Sequence, residues 1–215
     1  MTQVPDWLDE LAAQAVRIEV PRAARPPARG GRAAAVLLLF GQGPLGPDVL
    51  LIQRSANGRR HAGQPAFPGG GVDPGDDGPV GAALREAEEE TGLEPRGVRV
   101  LGTMPELYVR PSDNRVTPVI GWWHTPSAVH AASPDEVESV ERVPVAELVD
   151  AGNRITLRLP GGYAGAAFRV RGMLVWGFTA MVLDTVLRAG GLERPWDAGR
   201  VEEIPPDVLH LATRG

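Results

Sequence analysis

Residues 68–93 leave this chain few ways to fold. Pro68-Gly69-Gly70-Gly71 cannot be helix, and glycine permits the unusual backbone angles of a loop that wraps a phosphate. Asp76, Asp77 or Gly78 can then cap a helix with Pro79 in its first turn, and Gly92 is its natural stop. Within that helix, residues 85–90 read Arg-Glu-Ala-Glu-Glu-Glu. Glu86, Glu89 and Glu90 stand at i, i+3 and i+4, so they share one face. Like charges at that spacing repel by roughly a few tenths of a kcal/mol per exposed pair. A helix gains nothing from such crowding unless something positive lies against it. Mg²⁺ or Mn²⁺ suits carboxylate oxygens, while a merely solvated acidic face is the alternative. Val80, Ala83, Leu84, Ala87 and Thr91 form the opposite, mostly apolar face.

Composition narrows the class. A chain of 215 residues with 43% hydrophobic residues can bury the core of one domain with extensions. Aromatics make up only 5%, so Val, Leu and Ala must fill that core. There is no cysteine, which excludes disulfides, zinc-thiolate sites and a cysteine nucleophile. The net charge of −5 argues against a general nucleic-acid binder. All 22 basic residues are arginine, the residue suited to bidentate phosphate contacts. No stretch is long enough to span a membrane and no secretory signal opens the chain, so a cytoplasmic protein is the expectation.

Patterning predicts an amphipathic helix over residues 6–16, followed by a Pro/Gly/Arg linker over 21–31. Apolar runs at 33–40 and 49–53 read as strands joined by a turn at 41–48. Residues 54–71 have no periodicity and read as one long functional loop. Strands are expected at 98–104, 116–123 and 138–143, a short helix at 145–149, and a strand pair at 155–159 and 167–170. Residues 173–188 read as a final helix, and the Pro- and charge-rich tail from Gly190 as loose. The expected organisation is an N-terminal helix and linker over 1–30, one domain over 31–190 and a tail over 191–215. Strands interleaved with helices imply a mixed sheet covered on both faces.

Counting back from Arg85, seven residues lead to Asp77, and five more separate Asp77 from Gly71. The segment resembles the Nudix hydrolase signature: glycine, five residues, glutamate, seven residues, then Arg-Glu-apolar-x-Glu-Glu-x-Gly-apolar. Every fixed position matches except Asp77, where the pattern has glutamate. The resemblance implies an α/β Nudix fold, a three-layer α/β/α sandwich with a mixed central sheet and a loop-helix-loop box. A second motif precedes it. Leu50, Leu51, Arg54, Ser55, Arg59, Gly63, Phe67, Pro68, Gly69 and Gly70 fit the extra motif of the coenzyme A pyrophosphatase branch, with Ile52 in place of a threonine. That branch often carries aspartate at the position of Asp77. The resemblance continues through residues 116–119, 135–137 and 175–180.

It implies hydrolysis of a diphosphate, with coenzyme A yielding 3′,5′-ADP and 4′-phosphopantetheine. Glu86 and Glu90 would be the principal metal ligands, with Glu89 a third ligand or the base that orients water. Arg85 would pair with a box carboxylate. Gly70 or Gly71 could lend a carbonyl, and Glu136, ahead of Glu138 and Glu141, a further glutamate. Arg54 and above all Arg59 would meet substrate phosphates, with Gly63, Phe67 and Gly70 completing the binding loop. His61 reads as a packing or surface residue. Leu107, Tyr108 and the Trp122-Trp123 pair are candidates for an apolar groove, although tryptophans in strands more often pack in a core. The partner expected is a small-molecule nucleotide; the family allows a homodimer, but no patch marks one. The rivals are a Nudix hydrolase acting on ADP-ribose, NADH or a nucleoside triphosphate, and a non-catalytic nucleotide sensor.

Overall fold

The computed structural model describes residues 2–28, 30–56 and 62–212. Along the chain run α1 (Asp6–Gln14), β1 (Arg32–Gly43), β2 (Gly46–Arg54), β3 (Pro65–Ala66), β4 (Gly69–Gly71) and α2 (Gly78–Thr91). Next come β5 (Val98–Thr103), β6 (Leu107–Val109), β7 (Asn114–Trp123), β8 (Val137–Pro144) and α3 (Val145–Leu148). The chain closes with β9 (Arg154–Arg158), β10 (Ala164–Val170), β11 (Met173–Val175), α4 (Gly177–Ala189), β12 (Val201–Glu203) and α5 (Pro206–Ala212). Contacts divide these into two units, residues 1–42 with 67–132 and residues 43–66 with 133–215.

The first unit is built on β1. Its run of apolar residues, Leu37 to Phe40 included, is buried, as expected of a strand covered on both faces. β7 lies parallel to it, with Ala35 opposite Thr117 and Leu37 opposite Val119, while β4 pairs antiparallel. β5 and β6 both pair antiparallel with β7, so the sheet is mixed, as the sequence implied. α1 packs on β5 through its buried Leu8 and Leu11. Trp7 meets Phe40 edge to face, with ring centroids 5.3 Å apart. α2 packs against β4 and β7.

In the second unit β2 lies between β3 and β8, antiparallel to both. A second sheet runs β11-β10-β9-β12, with β12 parallel to β9. α4 packs on β10.

Several expectations need correction. The turn after β1 is confined to Pro44 and Leu45, because both strands extend into the segment expected to be loop. The stretch 54–71 contains β3 and β4. Gly69, Gly70 and Gly71 are thus strand rather than free loop, since backbone pairing needs no side chain. The predicted helix from Met173 begins only at Gly177. Arg171 and Gly172, both at positive φ (51° and 75°), turn β10 back on itself. Met173 and Val175 then alternate inward as β11, a period of two that the apolar helix pattern had hidden. The tail is not loose: Ile204 joins Ile155, Leu157 and Ala167 in a core that Val208 and Leu209 cover. β12 and α5 were missed because their apolar residues are too few to show periodicity.

Candidate active site

Three consecutive glycines each meet a different side chain of α2. Gly69 N–H donates to Glu90 Oε2 at 2.9 Å. A Cβ on Gly70 would lie 2.4 Å from the Glu86 carboxyl carbon. Gly71 O accepts from Arg85 Nη2 at 3.1 Å. The β4 ladder to β1 holds these glycines in register, and Leu37 N–H donates to Pro68 O to extend it. Gly69 sits at φ 154° with a Cβ position 2.3 Å from Ala35 O, so no other residue fits there.

The helix that carries the acidic face is closed at both ends. Its N-cap is Asp77, which makes no side-chain capping bond, and Pro79 lies in the first turn. Gly92 ends it in the left-handed conformation at φ 68°. His130 N–H and Ala132 N–H donate to the carbonyls of Thr91 and Glu90, so two carbonyls left over at the helix end are satisfied. Ala82, Ala83, Ala87 and Thr91 are buried; Ala82 replaces the expected Val80 and Leu84, which are only partly covered.

The three glutamates share a helix but not an environment. The side chain of Glu89 is 57% exposed and that of Glu86 18%, whereas Glu90 is buried at 2%. Arg85, 29% exposed, ties them together. Its Nη1 donates to Glu86 Oε1 at 3.0 Å and to Glu89 Oε2 at 3.2 Å. Its other edge forks onto Asp76, Nε to Oδ1 at 2.9 Å and Nη2 to Oδ2 at 3.1 Å. The bond from Arg85 is the main reason the Asp76 carboxyl stays below the usual carboxylate range; a second bond, from Asp73 N–H, adds to it. Reciprocally, Asp76 first, then Glu86 and Glu89, push the Arg85 guanidinium further toward its charged form. The sequence marks Asp76 only as a capping candidate. Its position beside Asp77 in a turn was the one hint available.

Among the described residues no three His, Asp or Glu side chains gather into a metal-ligating group, because Arg85 binds Glu86 and Glu89 while Glu90 turns to Gly69. The donors nonetheless fit a hard divalent cation: carboxylate oxygens stand beside a backbone carbonyl strand, in a cradle that a Cβ on Gly70 would fill.

The other expected residues are placed as follows. Phe67 belongs to the same unit and is buried. Arg54, Gly63 and Glu136 belong to the second unit. There Gly63 N–H donates to Arg54 O at 3.2 Å, Arg54 N–H donates to Gln64 O, and the Gln53 amide reaches Gly63 O. Gly63, at φ 67°, closes this loop. Glu136 lies exposed in the turn before β8, where its carbonyl accepts from Ser55 N–H. Arg59 and His61 lie outside the described residues. The apolar groove suggested by Leu107, Tyr108 and the tryptophans is not formed. Leu107, Trp122 and Trp123 are buried, Trp122 Nε1 donates to Thr2 O, and the Tyr108 hydroxyl donates to Asp113. Among the described residues no helix is long and apolar enough to cross a membrane.

The NUDIX domain description matches residues 30–159, more than half of the chain. The uncharacterized Nudix hydrolase NudL of Escherichia coli strain K12 is 40% identical over 157 residues, 71% of this chain and 79% of its own length. NudL of Shigella boydii is 41% identical over the same span and coverage. Among solved structures, the MutT protein from Methanosarcina mazei is 18% identical, with a TM-score of 0.47 over 76% of this chain and 95% of its own. RenU, a Nudix hydrolase from M. smegmatis, is 28% identical, with a TM-score of 0.43 over 56% of this chain and 75% of its own. The chain therefore belongs to the Nudix family, as a pyrophosphohydrolase of the class that acts on nucleoside diphosphate derivatives and generally uses divalent metal ions.

Proposed function

We propose that this chain hydrolyses the diphosphate of coenzyme A or a derivative, releasing 3′,5′-ADP and 4′-phosphopantetheine. One observation carries the reading. Gly69 and Gly70 end the motif that resembles the coenzyme A pyrophosphatase branch, and they are also the backbone on which Glu90 and Glu86 rest. The substrate motif and the acidic box thus share one strand of backbone. The 40% identity to NudL over most of the chain agrees with a hydrolase.

Glu86, Glu89 and Glu90 are the residues to hold Mg²⁺ or Mn²⁺, which when bound supplies neutralisation of charge on the phosphoryl oxygens. Glu89, the most exposed of the three, would take a proton from an attacking water. Arg85 holds Glu86 and Glu89 in place. Arg54 and Arg59 bind substrate phosphates through charge-assisted bonds, Gly63 and Phe67 shape their loop, and Glu136 contributes a further carboxylate. Residues 31–190 form the hydrolase domain.

The test is a panel of coenzyme A, ADP-ribose, NADH and deoxynucleoside triphosphates with Mg²⁺ or Mn²⁺, products identified by mass. Cleavage of coenzyme A to the two named products at the highest kcat/KM is expected. Preference for ADP-ribose or a triphosphate would overturn the substrate assignment.

A further inference from the structure

The glutamate of the Nudix pattern falls on Asp77, yet this chain does not use Asp77 to hold its box arginine. Asp77 is exposed and makes no capping bond. Its neighbour Asp76 instead takes one whole edge of the Arg85 guanidinium, through Nε and Nη2. Gly71 O takes Nη2 as well, which leaves Nη1 aimed at Glu86 and Glu89. A guanidinium carries its donors in one rigid plane, so fixing the Nε and Nη2 edge fixes the direction of Nη1. Asp76 is itself fixed. Its side chain is 6% exposed, its Oδ2 accepts from Asp73 N–H at 2.8 Å, and its own N–H donates to Asp73 O at 3.0 Å. The turn at 73–76 therefore presents a carboxylate in one orientation, before the helix begins.

We propose that Asp76, and not the aspartate at the signature's acidic position, is the positioning residue that aims Arg85 and, through it, the Glu86 and Glu89 carboxylates. An aspartate at 77 is one methylene shorter than the glutamate of the pattern, and it is Asp76, one residue earlier, that reaches Arg85. The proposal rests on the hydrolase reading above for its consequence, and on the geometry of the turn for its cause.

The experiment compares Asp76→Ala, Asp76→Asn and Asp77→Ala in the full chain. Mn²⁺ binding without substrate is followed by electron paramagnetic resonance, kcat and KM are measured on the best panel substrate, and circular dichroism monitors the fold. Asp76→Ala should lose about tenfold to a hundredfold in Mn²⁺ affinity or kcat, the usual size for a residue that orients a ligand. KM should change little, and Asp77→Ala should stay within about twofold of the parent. Asp76→Asn keeps an acceptor for Asp73 N–H but loses the charged fork. It should retain the fold and still lose kcat, so a folding defect in Asp76→Ala leaves the question decidable. Because Asp76 acts through Arg85, Asp76→Asn added to Arg85→Lys should cost no more than Arg85→Lys alone. Additive losses, or a larger loss in Asp77→Ala than in Asp76→Asn, would overturn the assignment. A parent that binds no Mn²⁺ and cleaves nothing in the panel overturns the hydrolase reading with it, whereas an active parent with an unchanged Asp76→Asn overturns the Asp76 assignment alone.

Discussion

Arg85 and Arg154 each gather carboxylates, in different halves of the chain and to different ends. Arg85 keeps 29% of its side chain exposed and holds Asp76, Glu86 and Glu89 around a strand of glycines. Arg154 has no exposure at all. It bonds Asp184, stands 3.6 Å from Glu193, and lies between the rings of Trp196 and Phe168, 4.5 and 5.2 Å from their centroids. Burial is the difference that matters. A charge network that water and ligands can reach can rearrange around a substrate, whereas an arginine sealed under aromatic rings serves the fold. Arg154 also ties α4 and the tail to β9, which is why the C-terminal segment is ordered although its sequence looked loose.

Substitutions can break this contrast, beginning with the largest effects. Glu89→Gln should lower kcat by about two to four orders of magnitude, the range for a lost proton-transfer group, with an unchanged thermal melt. Near-parental turnover would remove Glu89 from the chemistry. Arg154→Ala should do the reverse. It should cost about 1–3 kcal/mol in a urea melt, since it empties a fully buried site under Trp196 and Phe168 and leaves Asp184 and Glu193 to Arg188 alone, and Arg154→Met should cost less because it keeps volume without charge. If Arg154→Ala melts like the parent, the buried network is not structural.

The glycines sharpen the contrast within a single strand. Gly69→Ala meets backbone, Ala35 O at 2.3 Å, at a φ that alanine rarely adopts, and should cost about 1–3 kcal/mol of stability. Gly70→Ala meets first the Glu86 carboxylate, the far end of a flexible side chain that can swing away. It should melt within about 0.5 kcal/mol of the parent, as surface changes do, yet lose activity because Glu86 is displaced. Equal effects on the melt would show that Glu86 is as rigid as the sheet.

The smallest effects are titrations. Asp76 is held below the ordinary 3.8 by Arg85, so its contribution to stability is present above that value and lost as pH falls through its lower folded pKa. Asp48, in the second unit, is shifted the other way. Burial raises it, against the pull of Arg142, so its contribution is present below 3.8 and lost as pH rises through the folded pKa. Carboxyl carbon shifts followed through the acid range should therefore place the Asp48 midpoint above that of Asp76. The opposite order would contradict both environments.

Much of the site was legible because its code is local. The span from Gly71 to Leu93 names a helix, its stop and its acidic face, and the structure puts the helix at Gly78–Thr91 with Gly92 left-handed behind it. Strands β1 and β2 were visible as apolar runs for a related reason: burial is written into consecutive residues. The five short strands that escaped, β3, β4, β6, β11 and β12, each carry too few residues to show a period. Helical spacing put Glu86, Glu89 and Glu90 on one face, but it could not say that Glu90 would be buried against Gly69 N–H while Glu89 stayed in water.

The sequence by itself determined the family and the chemical inventory, because both depend on which residue types recur at which spacing along one helix and the loop before it. Tertiary structure decided the assignments within that inventory. Asp76 rather than Asp77 holds Arg85, Gly70 leaves room for Glu86, and Arg154 is sealed while Arg85 is open. Each of these depends on the direction of a side chain and on what stands opposite it across the sheet or turn. Neighbours in space set those directions, and spacing along the chain does not encode them.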